Sequence, residues 1–220
     1  MDYNMQTLIP YISPAEYDNV AKEFLEDYCP EALLTPRAVP IEEIAKTMGL
    51  IVRYDICLSE EADIYGMTIF TDGAVEIYDP KEELYDTQKF SRKTVLIDPK
   101  AVEKTNLGCK HNTLAHECVH WYKHRMYYRM QKYTASRMAR YCKCRIDQLP
   151  YSSYEENIME SQATGIAPRI LMPRNTFIEA AGKYDIKYGR ENWGAIYGLA
   201  DLFDVSKQSV MIRLEECNLL

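Results

Sequence analysis

Apolar positions recur along this chain with the helical period in some stretches and with strand-like alternation in others. Ser13-Pro14-Ala15-Glu16 has the form of a helix start, with Ser at the N-cap, Pro at the first helical position and Glu three residues after the cap. The pattern predicts a helix from there to about Tyr28, before Pro30 and Pro36 break the chain. Ile41, Ile44, Ala45 and Met48 share one face of a short second helix, which Gly49 ends. Residues 50–56 are expected to form a strand. Residues 65–70 and 74–78 flank Thr71-Asp72-Gly73, and an Asp-Gly pair between two β-rich runs predicts an antiparallel hairpin. The polar stretch 81–92 is expected to be loop, and 94–98 another strand that Pro99 closes.

The second half carries mainly the helical period. A central helix is predicted over 113–126, with Leu114, Cys118, Trp121 and Tyr122 on its buried side. Further helices are expected near 154–167, 174–181, 191–203 and 207–216. The fold class is therefore α+β, a small antiparallel sheet packed on a helical core. Residues 1–185 are expected to form the main domain, and 186–220 a helical element packed on it. Within that element, residues 205–210 resemble the turn and second helix of a helix-turn-helix, with Ser206 as N-cap. From Leu199 onward only Lys207 and Arg213 are basic, against Asp201, Asp204, Glu215 and Glu216, so packing or protein recognition is favoured over DNA reading.

Composition narrows the class. Hydrophobic residues make up 47% of the 220 positions, yet no apolar run approaches the ~18 to 20 residues that cross a bilayer. The opening Met-Asp-Tyr-Asn has neither a basic region nor an apolar stretch, so no secretory signal is read and a cytoplasmic location is expected. The seven cysteines are an odd, scattered set, which suits a reducing compartment. The net charge of −7 repels nucleic acid on average. Charge is nevertheless polarised: residues 121–146 hold eight Lys or Arg and no acid, interleaved with Tyr122, Tyr127, Tyr128, Tyr133 and Tyr141. This segment is expected to be a helical extension with a solvated basic face and aromatic contacts to the core. Direct nucleic-acid binding there is the less favoured reading.

The chemistry concentrates at His116-Glu117-Cys118-Val119-His120, an H-E-x-x-H motif. On a helix, residues four apart stand one turn apart on one face, so both imidazoles can grip one zinc ion, while Glu117 can serve as general base without being a ligand. A catalytic zinc takes three protein ligands, so one more must come from elsewhere. Glu160, on the predicted helix over 154–167, is the candidate; Glu155 and Glu156 on the same helix are rivals that spacing does not separate. His124 continues the i, i+4 ladder, but the outer two of three such histidines lie ~12 Å apart along the axis, so it is expected to be an exposed neighbour. His111 is read as a surface residue and Cys118 as core. Cys142-Lys143-Cys144 lacks a second cysteine pair nearby, so no second zinc site is expected there.

Thr113-Leu114-Ala115-His116-Glu117-Cys118-Val119-His120 resembles the T-L-A-H-E-x-x-H helix of the ImmA/IrrE family of bacterial metallopeptidases. Glu160-Ser161-Gln162-Ala163, followed by Leu171-Met172-Pro173, is similar to that family's E-x-E/Q-A segment running into L-L-M-P. The chain departs from the pattern at Val119 and Asn112, and 40 positions separate His120 from Glu160, more than family members tend to have. The resemblance implies a zincin-like fold and a metal held by His116, His120 and Glu160, with Glu117 as catalytic base. One Zn2+ per chain is expected, although two His and a carboxylate also accept Mn2+, Fe2+ or Co2+. The implied activity is cleavage of an intracellular protein, typically a helix-turn-helix transcriptional repressor. A non-catalytic zinc-containing module that binds a repressor or DNA is the alternative.

Overall fold

The structure is a computed structural model that describes residues 4, 6–104, 107–130, 138–145, 153–188 and 191–220. A 3-10 turn, Pro14–Glu16, leads into helix α1 (Tyr17–Tyr28). The Glu16 carboxylate accepts from the Ser13 N–H at 2.8 Å and from its hydroxyl at 2.7 Å, closing the helix start from the Glu side. Helix α2 (Ile41–Thr47) buries Ile41, Ile44 and Ala45 and ends at Gly49, whose φ of +73° is the left-handed conformation that terminates helices. Strand β1 covers only Ile51–Arg53 of the expected run.

The Asp-Gly segment does not make the predicted hairpin. Strands β2 (Ile64–Ile69) and β3 (Gly73–Asp79) lie on either side of it but belong to different sheets. Strand β3 pairs with β4 (Leu84–Phe90), which fills the stretch expected to be loop. Every residue of β4 except Phe90 is exposed, so its side chains carry no apolar alternation and the backbone ladder alone makes it a strand. Strand β2 meanwhile spends its two edges on β5 (Thr94–Ile97) and on β6 (Tyr141–Arg145), giving the order β1-β5-β2-β6. This sheet is antiparallel except where β1 runs parallel to β5.

Pro99 closes β5 and opens α3 (Pro99–Lys104), where Asp98 caps the Lys100 and Ala101 N–H groups at 2.8 and 3.0 Å. The central helix is longer than expected: α4 (Leu107–Val119) widens into a π-helical turn over His120–His124 and resumes as α5 (Arg125–Met130). Helices α6 (Tyr154–Leu171), α7 (Arg174–Ala181), α8 (Trp193–Phe203) and α9 (Lys207–Glu216) follow, near the predicted positions.

One face of the sheet looks onto α4, and the other packs Met67, Ile69 and Leu96 against Val75 and Phe90 of the β3–β4 ribbon. The larger core unites α1, α2, α4 and α6 with Leu199 and Phe203 of α8 and Val210 and Leu214 of α9. Ser206 caps α9 by accepting from the Ser209 N–H, and Asp204 turns the chain with a φ of +53°. Arg213, the second basic residue of this element, is 1% exposed and spends its guanidinium on Asp18, Glu216 and the Met172 carbonyl, away from any surface that could meet DNA. Lys207 lies over the Tyr197 ring. In the basic segment the described part is helix and strand rather than one helical extension. Tyr128 stacks on Phe70, Tyr122 donates to Asp27, and Lys123 pairs with Glu23. Lys132, Tyr133 and Arg137 lie outside the described residues. No described helix is long and apolar enough to cross a membrane.

Candidate metal centre

Helix α4 delivers His116 and His120 one turn apart, and α6 packs along it to bring a carboxylate to both. His116 Nε2 lies 2.9 Å from His120 Nε2, and the Glu160 oxygens lie 3.0 Å from the first and 3.2 Å from the second. Among the described residues Glu160 is thus the carboxylate that joins the two imidazoles; Glu155 and Glu156 lie a turn or more earlier on α6 and are partly exposed. His116, His120 and Glu160 are all buried, and together they offer three donor atoms within 4.8 Å of one another. Burial works against ionising Glu160, but the two imidazoles outweigh it and hold the carboxyl well below the usual range.

Glu117 points from the same helix toward the sheet. Its Oε2 accepts from Thr68 Oγ1 at 2.7 Å, whereas Oε1 is buried without a hydrogen-bond partner among the described residues. Burial raises the pKa of this carboxyl above its ordinary value. Strand β2 can approach so closely because Gly66 faces the helix: a Cβ there would stand 2.8 Å from both Glu117 Oε1 and Thr113 Cγ2. Alternation along β2 places Gly66 and Thr68 on the helix-facing side and Met67 and Ile69 on the other.

His124 is not an exposed neighbour. It is fully buried, with Nδ1 3.0 Å from His120 Nδ1 and Nε2 2.9 Å from Gln162 Oε1. The ladder along the helix face was sound, but α6 covers that face instead of leaving it to solvent. Gln162 donates its amide to the Pro10 carbonyl at 2.9 Å, so its oxygen is the atom turned to His124. His124 must then donate from Nε2 and accept at Nδ1 from His120, which turns the other nitrogen of His120, Nε2, toward Glu160 and His116. Burial, with His120 beside it, lowers the His124 pKa to about 3, in keeping with a neutral ring.

Strand β6 brings two thiols to the site. Cys142 pairs with Thr68 and Cys144 with Gly66, so both lie on the side of the sheet that faces α4. Cys142 Sγ is 3.7 Å from Glu117 Oε2, and Cys144 joins His116 and Glu117 in a second group of donor atoms within 4.8 Å. The spacing of two that unites them on a strand face is present in the sequence, but it becomes informative only once the segment is known to be a strand. Cys118 is fully buried in the core, and His111 is partly exposed beside Asp204.

The model of the IrrE N-terminal-like domain, Peptidase_M78, matches residues 78–215 of the chain. Among curated proteins, none matches it.

Proposed function

The chain belongs to the Peptidase_M78 family, and on that premise we propose that it is a zinc-dependent metallo-endopeptidase whose metal is held by His116, His120 and Glu160. The observation that carries the proposal is the convergence of two imidazoles and one carboxylate next to Glu117, whose Oε1 is buried without a partner among the described residues. Two nitrogens and one oxygen are a donor set that suits catalytic zinc, and three protein ligands leave room for a further one. Bound at these residues, zinc would supply Lewis acidity to polarise a peptide carbonyl and acidify a water.

The remaining chemistry falls to the chain's own groups. Glu117 Oε1 accepts the proton of the attacking water, while Thr68 holds Oε2 and so fixes the carboxylate's rotamer. Burial makes Glu117 a better base than an exposed glutamate, and the proton it takes can pass to the leaving amine. Gly66 keeps the space around Oε1 open. Gly66→Ala is therefore expected to retain the circular dichroism and metal content of the parent while hydrolysis falls at least tenfold, by about the 10² that a displaced general base costs. Unchanged hydrolysis would remove Gly66 from the positioning of Glu117.

Gln162, His124 and His120 act in series to present one imidazole tautomer. Gln162→Leu is expected to weaken zinc binding in a chelator competition by about 10- to 100-fold, the range for outer-shell partners, with Gln162→Glu recovering most of the loss because it restores an acceptor to His124. Equal affinity in all three proteins would remove the relay.

The substrate class comes from the family resemblance: a regulatory protein of the helix-turn-helix repressor type. The test is to incubate zinc-loaded chain with a cell extract and map new protein N-termini by mass spectrometry, with Glu117→Gln in parallel. New termini made by the parent alone support the proposal. A partner held by both proteins and cut by neither would instead support a non-catalytic binding module.

A further inference from the structure

The proposed centre has three protein donors, and a fourth donor type stands beside it on strand β6. The β2–β6 register seats Cys144 opposite Gly66, on the side of the sheet that faces α4, where the lack of a side chain at Gly66 leaves room for Glu117 Oε1. Cys144 Sγ, a ring nitrogen of His116 and a Glu117 oxygen lie within 4.8 Å of one another. In a tetrahedral zinc site, bonds of ~2.0 Å to nitrogen and ~2.3 Å to sulfur put neighbouring donor atoms about 3.5 Å apart; Cys144 is grouped with His116 but not with His120 and Glu160, so its thiol has to move inward past His116 to share their ion. Glu117 Oε1, buried and without a hydrogen-bond partner among the described residues, is a second sign that a ligand belongs beside this group. Thiolate sulfur is also among the donors zinc prefers.

We propose that Cys144 is the fourth protein ligand of the resting centre, and that it holds the position a water must occupy for catalysis. The inference rests on the metallopeptidase reading above. Coordination forms one sulfur–metal bond and releases the Sγ proton to solvent, with no change of oxidation state. Reversal returns the proton to sulfur and opens the position. A centre with four protein ligands is closed, as structural zinc sites are, so the resting chain is latent until Cys144 leaves. Cys142, on the same strand face, contacts Glu117 and lies outside the His116 group, which makes it the internal control.

The experiment is titration of the metal-free full-length chain with Co2+, followed by absorption spectroscopy and equilibrium dialysis. The parent and Cys142→Ser are expected to bind one cobalt with an intense near-ultraviolet thiolate-to-metal band. Cys144→Ser is expected to bind one cobalt without that band, at least about tenfold more weakly, and to cleave peptide several-fold faster once loaded with zinc. One cobalt bound by the parent with ligand-field bands alone would overturn the role of Cys144 and leave the metallopeptidase reading standing. A band that survives in Cys144→Ser would assign the sulfur elsewhere and overturn it too. A parent that binds no cobalt would remove both readings.

Discussion

Glu117→Gln is expected to bind one metal ion per chain and to lose peptide hydrolysis by about 10²- to 10⁴-fold, the usual contribution of a positioned general base. The amide is close to isosteric, so the hydrogen bond from Thr68 Oγ1 can still be accepted by the amide oxygen and the fold is preserved. What is lost is the ability of the other atom, at the position of Oε1, to take a proton. The split between retained metal and lost turnover separates this role from a structural one, since a ligand would lose both. Hydrolysis and metal content measured on the same preparation check it, and full activity in Glu117→Gln would sink the mechanism.

The second large effect concerns the third ligand. Glu160→Ala and His116→Ala are each expected to lose most of the metal in a chain purified without added zinc, whereas Glu155→Ala and Glu156→Ala keep it. The loss in affinity should exceed the roughly 100-fold that outer-shell partners reach, because a bond to the ion itself is removed. Only Glu160 among the three stands within 3.2 Å of both imidazoles. Elemental analysis by mass spectrometry reads the result directly. Zinc retained in Glu160→Ala would move the third ligand elsewhere. No zinc in the parent, even after zinc is supplied, would favour the non-catalytic module.

The two effects are linked through burial. His116, Glu117, His120 and Glu160 are all nearly inaccessible, and charges so placed are costly unless paired. Glu160 has two imidazoles to offset that cost, while Glu117 has one hydroxyl and one thiol on Oε2 and, among the described residues, no partner for Oε1. One carboxylate is thereby driven to stay ionised and the other toward holding a proton, two opposite tendencies from the same residue type.

Much of this arrangement is local and was therefore open to reading along the chain. Helix starts at Ser13 and Ser206, the stop at Gly49, and the bounds of α7 and α9 follow from capping chemistry and the 3.6-residue period, which act over a few neighbouring residues. The one-turn separation of His116 and His120 has the same origin. What local pattern could not decide was which edge each strand would meet. Asp72-Gly73 carries a genuine turn signal, yet β2 pairs with β5 and β6 because its apolar residues Met67 and Ile69 are buried between the sheet and the β3–β4 ribbon, a long-range demand that overrides a local preference. β4 was invisible because a solvent-facing ribbon needs no apolar alternation. His124 was misplaced because the identity of the covering element, α6, is a tertiary fact, and Cys142 and Cys144 came to the site only through the β2–β6 register. The sequence by itself thus determined most of the helices, though not α3 or the end of the basic segment, and the spacing of the histidines, since those depend on contacts within a turn. Tertiary structure alone decided the partners of Glu117, the burial of His124 and the approach of the thiols, since each depends on residues 25 to 49 positions apart being packed face to face.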